Sequence, residues 1–114
     1  MEQLKKRLED FRNERNWKQF HDLKNLSIAL SIEASELCEL TLWKSNDEVQ
    51  VELKEKEFVK SVQDECADIL NYLILISSEL DFDLIDAANK KVDDNAKKYP
   101  ADKAFGTSKK YTEL

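Results

Sequence analysis

Only two residues in this 114-residue chain are strong helix breakers, Pro100 and Gly106, and both stand at position 100 or beyond. Tight hairpin turns depend on residues that accept positive φ, glycine above all, so a run of ninety-nine residues without Gly or Pro is a poor source of β-hairpins. Helices joined by polar connections remain, and the chain is expected to be all-α. Leu4, Leu8 and Phe11 recur at helical spacing and place a first helix over residues 2–15. Residues 21–42, 57–80 and 83–98 supply three more. Between the second and third, SNDEVQVELKEKE is polar with few apolar points, which fits a loop carrying a short helix. The expected architecture is a four-helix bundle in a single domain over residues 1–114, with a C-terminal tail from about residue 100.

The central helices are more apolar than a surface helix needs to be. ILNYLILI, residues 69–76, has Asn71 as its one polar position, and LSIALSI around Leu26 to Ile32 is similarly dense. A helix facing water on one side keeps a polar stripe there. In so small a chain, cover on all sides implies a second copy, so a homo-oligomer is expected, a dimer or a tetramer built as a dimer of dimers.

A net charge of −6 and a sequence pI near 4.9 argue against nucleic acid or an anionic membrane as partner, because either would be repelled. No stretch is long and apolar enough for a signal peptide core or a bilayer span, and a cytoplasmic location is expected. Cys38 and Cys66 lack metal-type spacing and fall in apolar helical runs, so both are expected to be small buried hydrophobes.

Acids stand where they are least expected. Glu33 and Glu36 lie in SIEASELCEL, and Glu65 and Asp68 in QDECADILNYL. Residues three apart sit about 60° apart around a helix, so each pair shares one face and borders the apolar surface. No Lys or Arg occurs between Ile28 and Leu42 or between Ser61 and Leu80 to neutralise them. Four acids from two helices repel one another unless a cation joins them. Hard oxygen ligands without His or Cys at ligand spacing select Mg²⁺, or Mn²⁺, over zinc. Glu39, a further step of three, is either an additional ligand or a solvated acid.

E-x-x-E followed some thirty residues later by E-x-x-D resembles the motif of the MazG-like, all-α nucleoside triphosphate pyrophosphohydrolases. The flanking text, FRNERNWKQFHDLKNL, EASELCEL, TLWKS, DECADILNYLILI, KKVDDNAKKYP and KKYTEL, is similar to the dCTP pyrophosphatase branch over nearly the whole chain. The resemblance implies that Glu33, Glu36, Glu65 and Asp68 are the catalytic residues and hold Mg²⁺. A water would attack the α-phosphorus of a deoxynucleoside triphosphate, releasing the monophosphate and pyrophosphate. Glu36 is the acid expected to hold that water.

The same resemblance implies substrate contacts from Trp17, His21, Lys24, Asn25, Trp43, Tyr72, Lys91, Asn95, Lys98 and Tyr99. Trp17 either stacks on the base or caps the core. Trp43 would wall the base pocket, from a neighbouring subunit if need be, and Tyr72 would support the sugar. Lys91, Asn95 and Lys98 share one helix face and would meet the β- and γ-phosphates. Lys109, Lys110 and Tyr111 are either closing contacts or part of a disordered tail. Lys24 stands where relatives often carry Arg, so a bidentate phosphate contact becomes a point charge. Leu8 stands where some dCTP-specific relatives are polar, which opens dATP as a second substrate. The implied role is house-cleaning of the nucleotide pool. The alternative is a non-catalytic helical interaction module or a nucleotide-binding regulator; a ferritin-like di-iron bundle fits poorly because it needs two E-x-x-H pairs and the chain has one histidine, His21.

Overall fold

The computed structural model describes residues 1–114 as helices and turns, with no strand. The helices are α1 (Glu2–Glu14), α2 (Leu23–Glu39), α3 (Asn46–Glu52), α4 (Lys56–Leu80), α5 (Leu84–Lys98) and α6 (Ala101–Ala104). Single 3-10 turns cover Lys18–Phe20 and Tyr111–Glu113. Three helices start on a short polar side chain that takes over an orphan backbone donor. Asp22 accepts from the Asn25 amide at 2.7 Å, Ser45 from that of Glu48 at 3.2 Å, and Asp83 from that of Asp86 at 2.9 Å. The chain divides into two compact units, Met1–Asp81 and Phe82–Leu114.

In the first unit α4 is the central element, and both α2 and α1 pack against it. Leu26 of α2 and Ile74 and Leu75 of α4 are its buried apolar residues. The Ser78 hydroxyl donates to Glu9 and ties α4 to α1. Lys44 donates to the Leu40 carbonyl at 2.9 Å and to Glu52 at 2.7 Å, and its ammonium lies 5.2 Å from the Phe58 ring, which fastens α3 beside the ends of α2 and α4. So small a core leaves Ile28 (52 %), Ile32 (54 %) and Leu70 (42 %) exposed. The apolar run of α4 is therefore not covered on all sides by its own chain.

Two expectations need correction. The second helix ends at Glu39, three residues early, because the chain turns through Leu40–Lys44 with Trp43 at φ 65°. Cys38 and Cys66 are exposed rather than buried, since an apolar run specifies a helix without saying which of its faces meets another.

In the second unit, Asp83 caps α5 and Lys97 and Lys98 stand in its last turn, where cations suit the helix dipole. Residues beyond Pro100 are more regular than a tail. They form α6, and Tyr111 then sets its ring edge-on to Tyr99 at 6.0 Å, with the Lys98 ammonium 5.1 Å from the Tyr111 ring. No helix is long and apolar enough to cross a membrane.

Candidate active site

Packing of α2 on α4 converts two spacings of three residues into one cluster. Glu33, Glu36 and Glu65 each bring a carboxylate oxygen to within 4.8 Å of the others, and all three side chains are half-buried. Oε2 of Glu33 and Oε2 of Glu65 are buried with no hydrogen-bond partner. Asp68 is exposed and stands outside this tight group, yet it lines the same cleft as Glu33 and its charge is felt by Glu33, Glu65 and Tyr72. Glu39 is exposed.

Two of these carboxyls, Glu33 and Glu65, have raised proton affinity. Burial first, then the nearness of the Glu36 and Glu65 carboxyls and the charges of Glu36 and Asp68, push Glu33 up to about 7. Glu65 is also raised, chiefly by burial and by Glu36. Burial and then the charges of Glu33, Asp68 and Glu36 raise the Tyr72 phenol, which keeps it a hydrogen-bond donor at neutral pH.

From the carboxylates a cleft of about 470 Å³ extends to an aromatic end, and Leu4, Leu8, Phe11, Trp17, His21, Asn71 and Tyr72 are among its walls. Trp17 is carried there by the way α1 stops. Asn16 takes φ 56°, its amide donates to the Asn13 carbonyl at 3.1 Å and the Trp17 amide to the Arg12 carbonyl at 3.0 Å, a Schellman stop with Asn in the left-handed position. Phe11 meets Trp17 edge-on at 5.8 Å, and the Arg15 guanidinium lies 3.7 Å from the Phe11 ring centre. His21 is tilted against Trp17 at 6.5 Å, and its Nδ1 is buried without a partner. Burial and the charge of Arg12 lower its proton affinity, partly offset by Glu79, so the ring is held neutral.

The remaining candidates are not among the residues that line this cleft. Lys24 and Asn25 are exposed in the first turn of α2, where the Asn25 amide group donates to the Phe20 carbonyl at 2.9 Å and so braces the turn before the helix. Trp43 is 92 % exposed. Lys91, Asn95 and Lys98 lie on α5, with Tyr99 just after it, in the second unit.

Sequence reasoning assigned no role to Arg7, Arg12 or Asn71, all of which line the cleft. Signals for two of them exist. Arg12 continues the stripe of Leu4 and Leu8 at the next step of four, a register reserved for the core, and Asn71 is the polar exception in ILNYLILI, one turn beyond Asp68.

Three convergent carboxylates with two stranded oxygens and no ion pair to a basic side chain fit a hard divalent cation, since such oxygens are stable only when a proton or a metal satisfies them. Glu33, Glu36 and Glu65 are the residues that would hold it, with Asp68 at the cleft side.

A family model described as the MazG-like family matches residues 28–114. The chain is 37% identical over 114 residues to dCTP pyrophosphatase 1 of Homo sapiens and 35% identical to that of Rattus norvegicus, spanning 100% of its own length and 67% of each relative. Among solved structures, a pyrophosphatase from Archaeoglobus fulgidus matches with a TM-score of 0.81 at 37% sequence identity, over 88% of this chain and 92% of that one.

Proposed function

The chain belongs to the MazG-like family, and from that premise we propose that it is a Mg²⁺-dependent pyrophosphohydrolase that cleaves deoxynucleoside triphosphates to the monophosphate and pyrophosphate. The observation that carries this reading is the pair of stranded oxygens on Glu33 and Glu65, set beside Glu36 where Glu33 borders a cleft of about 470 Å³. Mg²⁺, or Mn²⁺, when bound supplies positive charge and Lewis acidity to a triphosphate that four acids would otherwise repel.

The protein's own groups do the rest. Glu36 orients the attacking water and takes its proton, while Glu33 and Glu65, once deprotonated, hold the charged end of the site together with Asp68. Tyr72, kept protonated, donates to the sugar or the α-phosphate. Trp17 and neutral His21 receive the base at the far end of the cleft. On charge grounds the basic face of α5, Lys91 and Lys98 with Asn95, and Tyr99 behind it, is assigned to the β- and γ-phosphates; Lys24 adds a further cation and Asn25 sets the turn that carries His21. Trp43, unsupported in its own chain, is assigned to the base pocket of a neighbouring copy.

The names of the relatives favour dCTP as substrate, with dATP second because the wall at Leu8 is apolar. The reading includes a homo-oligomer, dimer or tetramer, in which a second copy covers Ile28, Ile32 and Leu70 and completes the bundle, and a cytoplasmic house-cleaning role without nucleic acid or membrane partners. A pyrophosphate-release assay with Mg²⁺ across the four deoxynucleotides and their ribo-counterparts tests it. Turnover led by dCTP, and cut about 100-fold or more by Glu36→Gln and by Asp68→Asn, is the expected result. No turnover from folded, Mg²⁺-supplied protein would overturn it in favour of a nucleotide-binding regulator or interaction module.

A further inference from the structure

Arg12 is the only charged residue that is fully buried, 5 % exposed, and it is aimed into the cleft. Its Nε donates to Asn13 Oδ1 at 3.1 Å, but no carboxylate lies within ion-pairing distance and its two terminal nitrogens have no acceptor in the protein. The buried polar atoms without a partner are on His21, Glu33 and Glu65 and not on Arg12, so its two terminal nitrogens reach open space; the guanidinium lines the cleft and keeps its charge, and its outer N–H groups are free to meet an acceptor on a molecule bound there.

Which part of a nucleotide that acceptor belongs to follows from where Arg12 stands. It lies at the aromatic end, beside Phe11, with the Trp17 amide bonded to its own carbonyl at 3.0 Å. Its charge is felt at His21, whereas Glu33 at the other end responds to Glu36, Glu65 and Asp68. With the triphosphate drawn to the carboxylate end, the group that arrives at Arg12 is the base.

The guanidinium has a fixed geometry. Nε is already committed to Asn13, which leaves the outer pair of N–H groups as a planar fork suited to two adjacent acceptors. Cytosine offers such a pair in O2 and N3. Thymine does not, because a donor N3–H separates its O2 and O4, and adenine sets each acceptor nitrogen beside a donor or alone. Guanine has O6 and N7, on a larger ring.

The geometry points to Arg12 as a specificity-determining residue of this site, forking onto O2 and N3 of cytosine and so selecting it over thymine. This rests on the pyrophosphohydrolase reading of the same cleft and deepens it. A base that lacks the acceptor pair displaces the water that otherwise meets this fork without replacing its hydrogen bonds, so it binds more weakly.

The test is equilibrium binding of nucleoside monophosphates in EDTA, by Trp fluorescence or calorimetry, which needs neither the metal nor turnover. Wild-type protein is expected to bind dCMP roughly ten- to a hundredfold more tightly than dTMP, the range for one bidentate base contact. Arg12→Lys, which keeps stem and charge but has no fork, and Arg12→Gln should bring that ratio close to one while leaving dTMP affinity within about threefold. A 3-deaza-cytidine monophosphate, which lacks the N3 acceptor, should bind wild-type protein about tenfold more weakly than its parent, and this arm stands even if a variant does not fold. An unchanged dCMP to dTMP ratio in folded Arg12→Lys, a ratio of one in the wild type, indifference to the 3-deaza change, or equal loss for dCMP, dTMP and 2-deoxyribose 5-phosphate would each overturn the assignment. Failure of the pyrophosphohydrolase reading shows separately, as absence of pyrophosphate release from dCTP by wild-type protein with Mg²⁺.

Discussion

Glu33 and Glu65 face one another across the seam of α2 and α4, each with Oε2 buried and without a hydrogen-bond donor. Two carboxylates in this relationship compete for a single positive charge, and either a proton or a metal ion can supply it.

Stability without divalent metal should therefore fall as pH rises. The Glu33 carboxyl titrates at about 7 in the folded chain against 4.5 for an unperturbed group. Between those values the folded state binds more protons than the unfolded one. Its contribution is complete below about 4.5 and lost as pH passes through about 7. Thermal melts in EDTA from pH 5 to pH 8 should show a falling Tm, a shallower fall in Glu33→Gln, and a Mg²⁺-induced gain that grows with pH as the cation replaces the proton. A flat profile, or one identical in Glu33→Gln, would contradict the shared-charge account.

Trp43 combines 92 % exposure with a left-handed backbone at φ 65°. A bulky residue there costs about 1 kcal/mol that no packing in its own chain returns. Trp43→Asn, which tolerates this conformation, should hold or raise the urea midpoint. It should also raise KM for the nucleotide roughly tenfold if the ring stacks on a base. An unchanged KM would remove Trp43 from the site.

Asp22 caps α2 one residue after His21. Asp22→Ala should destabilise the protein by about 1 kcal/mol, and Asp22→Asn should recover most of it. Because this turn also sets the His21 ring, the Ala variant should lose nucleotide affinity as well; equal urea midpoints for all three proteins would show that the cap carries no weight.

Ile28 and Ile32 lie one turn apart on α2 and are each more than half exposed. Light scattering is expected to report a dimer or tetramer for the wild type and a smaller species for the double substitution Ile28→Glu with Ile32→Glu, at a lower Tm. A monomeric wild-type protein with unchanged behaviour in the variant would refute the interface.

The sequence alone determined every property that depends on residues near one another along the chain. Scarcity of Gly and Pro set the all-α class. The i, i+3 acid pairs follow from helical period, which places neighbours on a face whatever the helix touches. Tertiary structure alone decided what meets what. Packing of α2 on α4 strands oxygens of Glu33 and Glu65 yet leaves Asp68 exposed and turns Cys38 and Cys66 outward, and packing of α1 on α4 brings Arg12 into a cleft with Trp17 and His21. Helical period gives the angle of a side chain about its own axis. The depth to which it is buried, and hence its charge state and its need for a ligand, is settled by contacts between residues far apart in sequence.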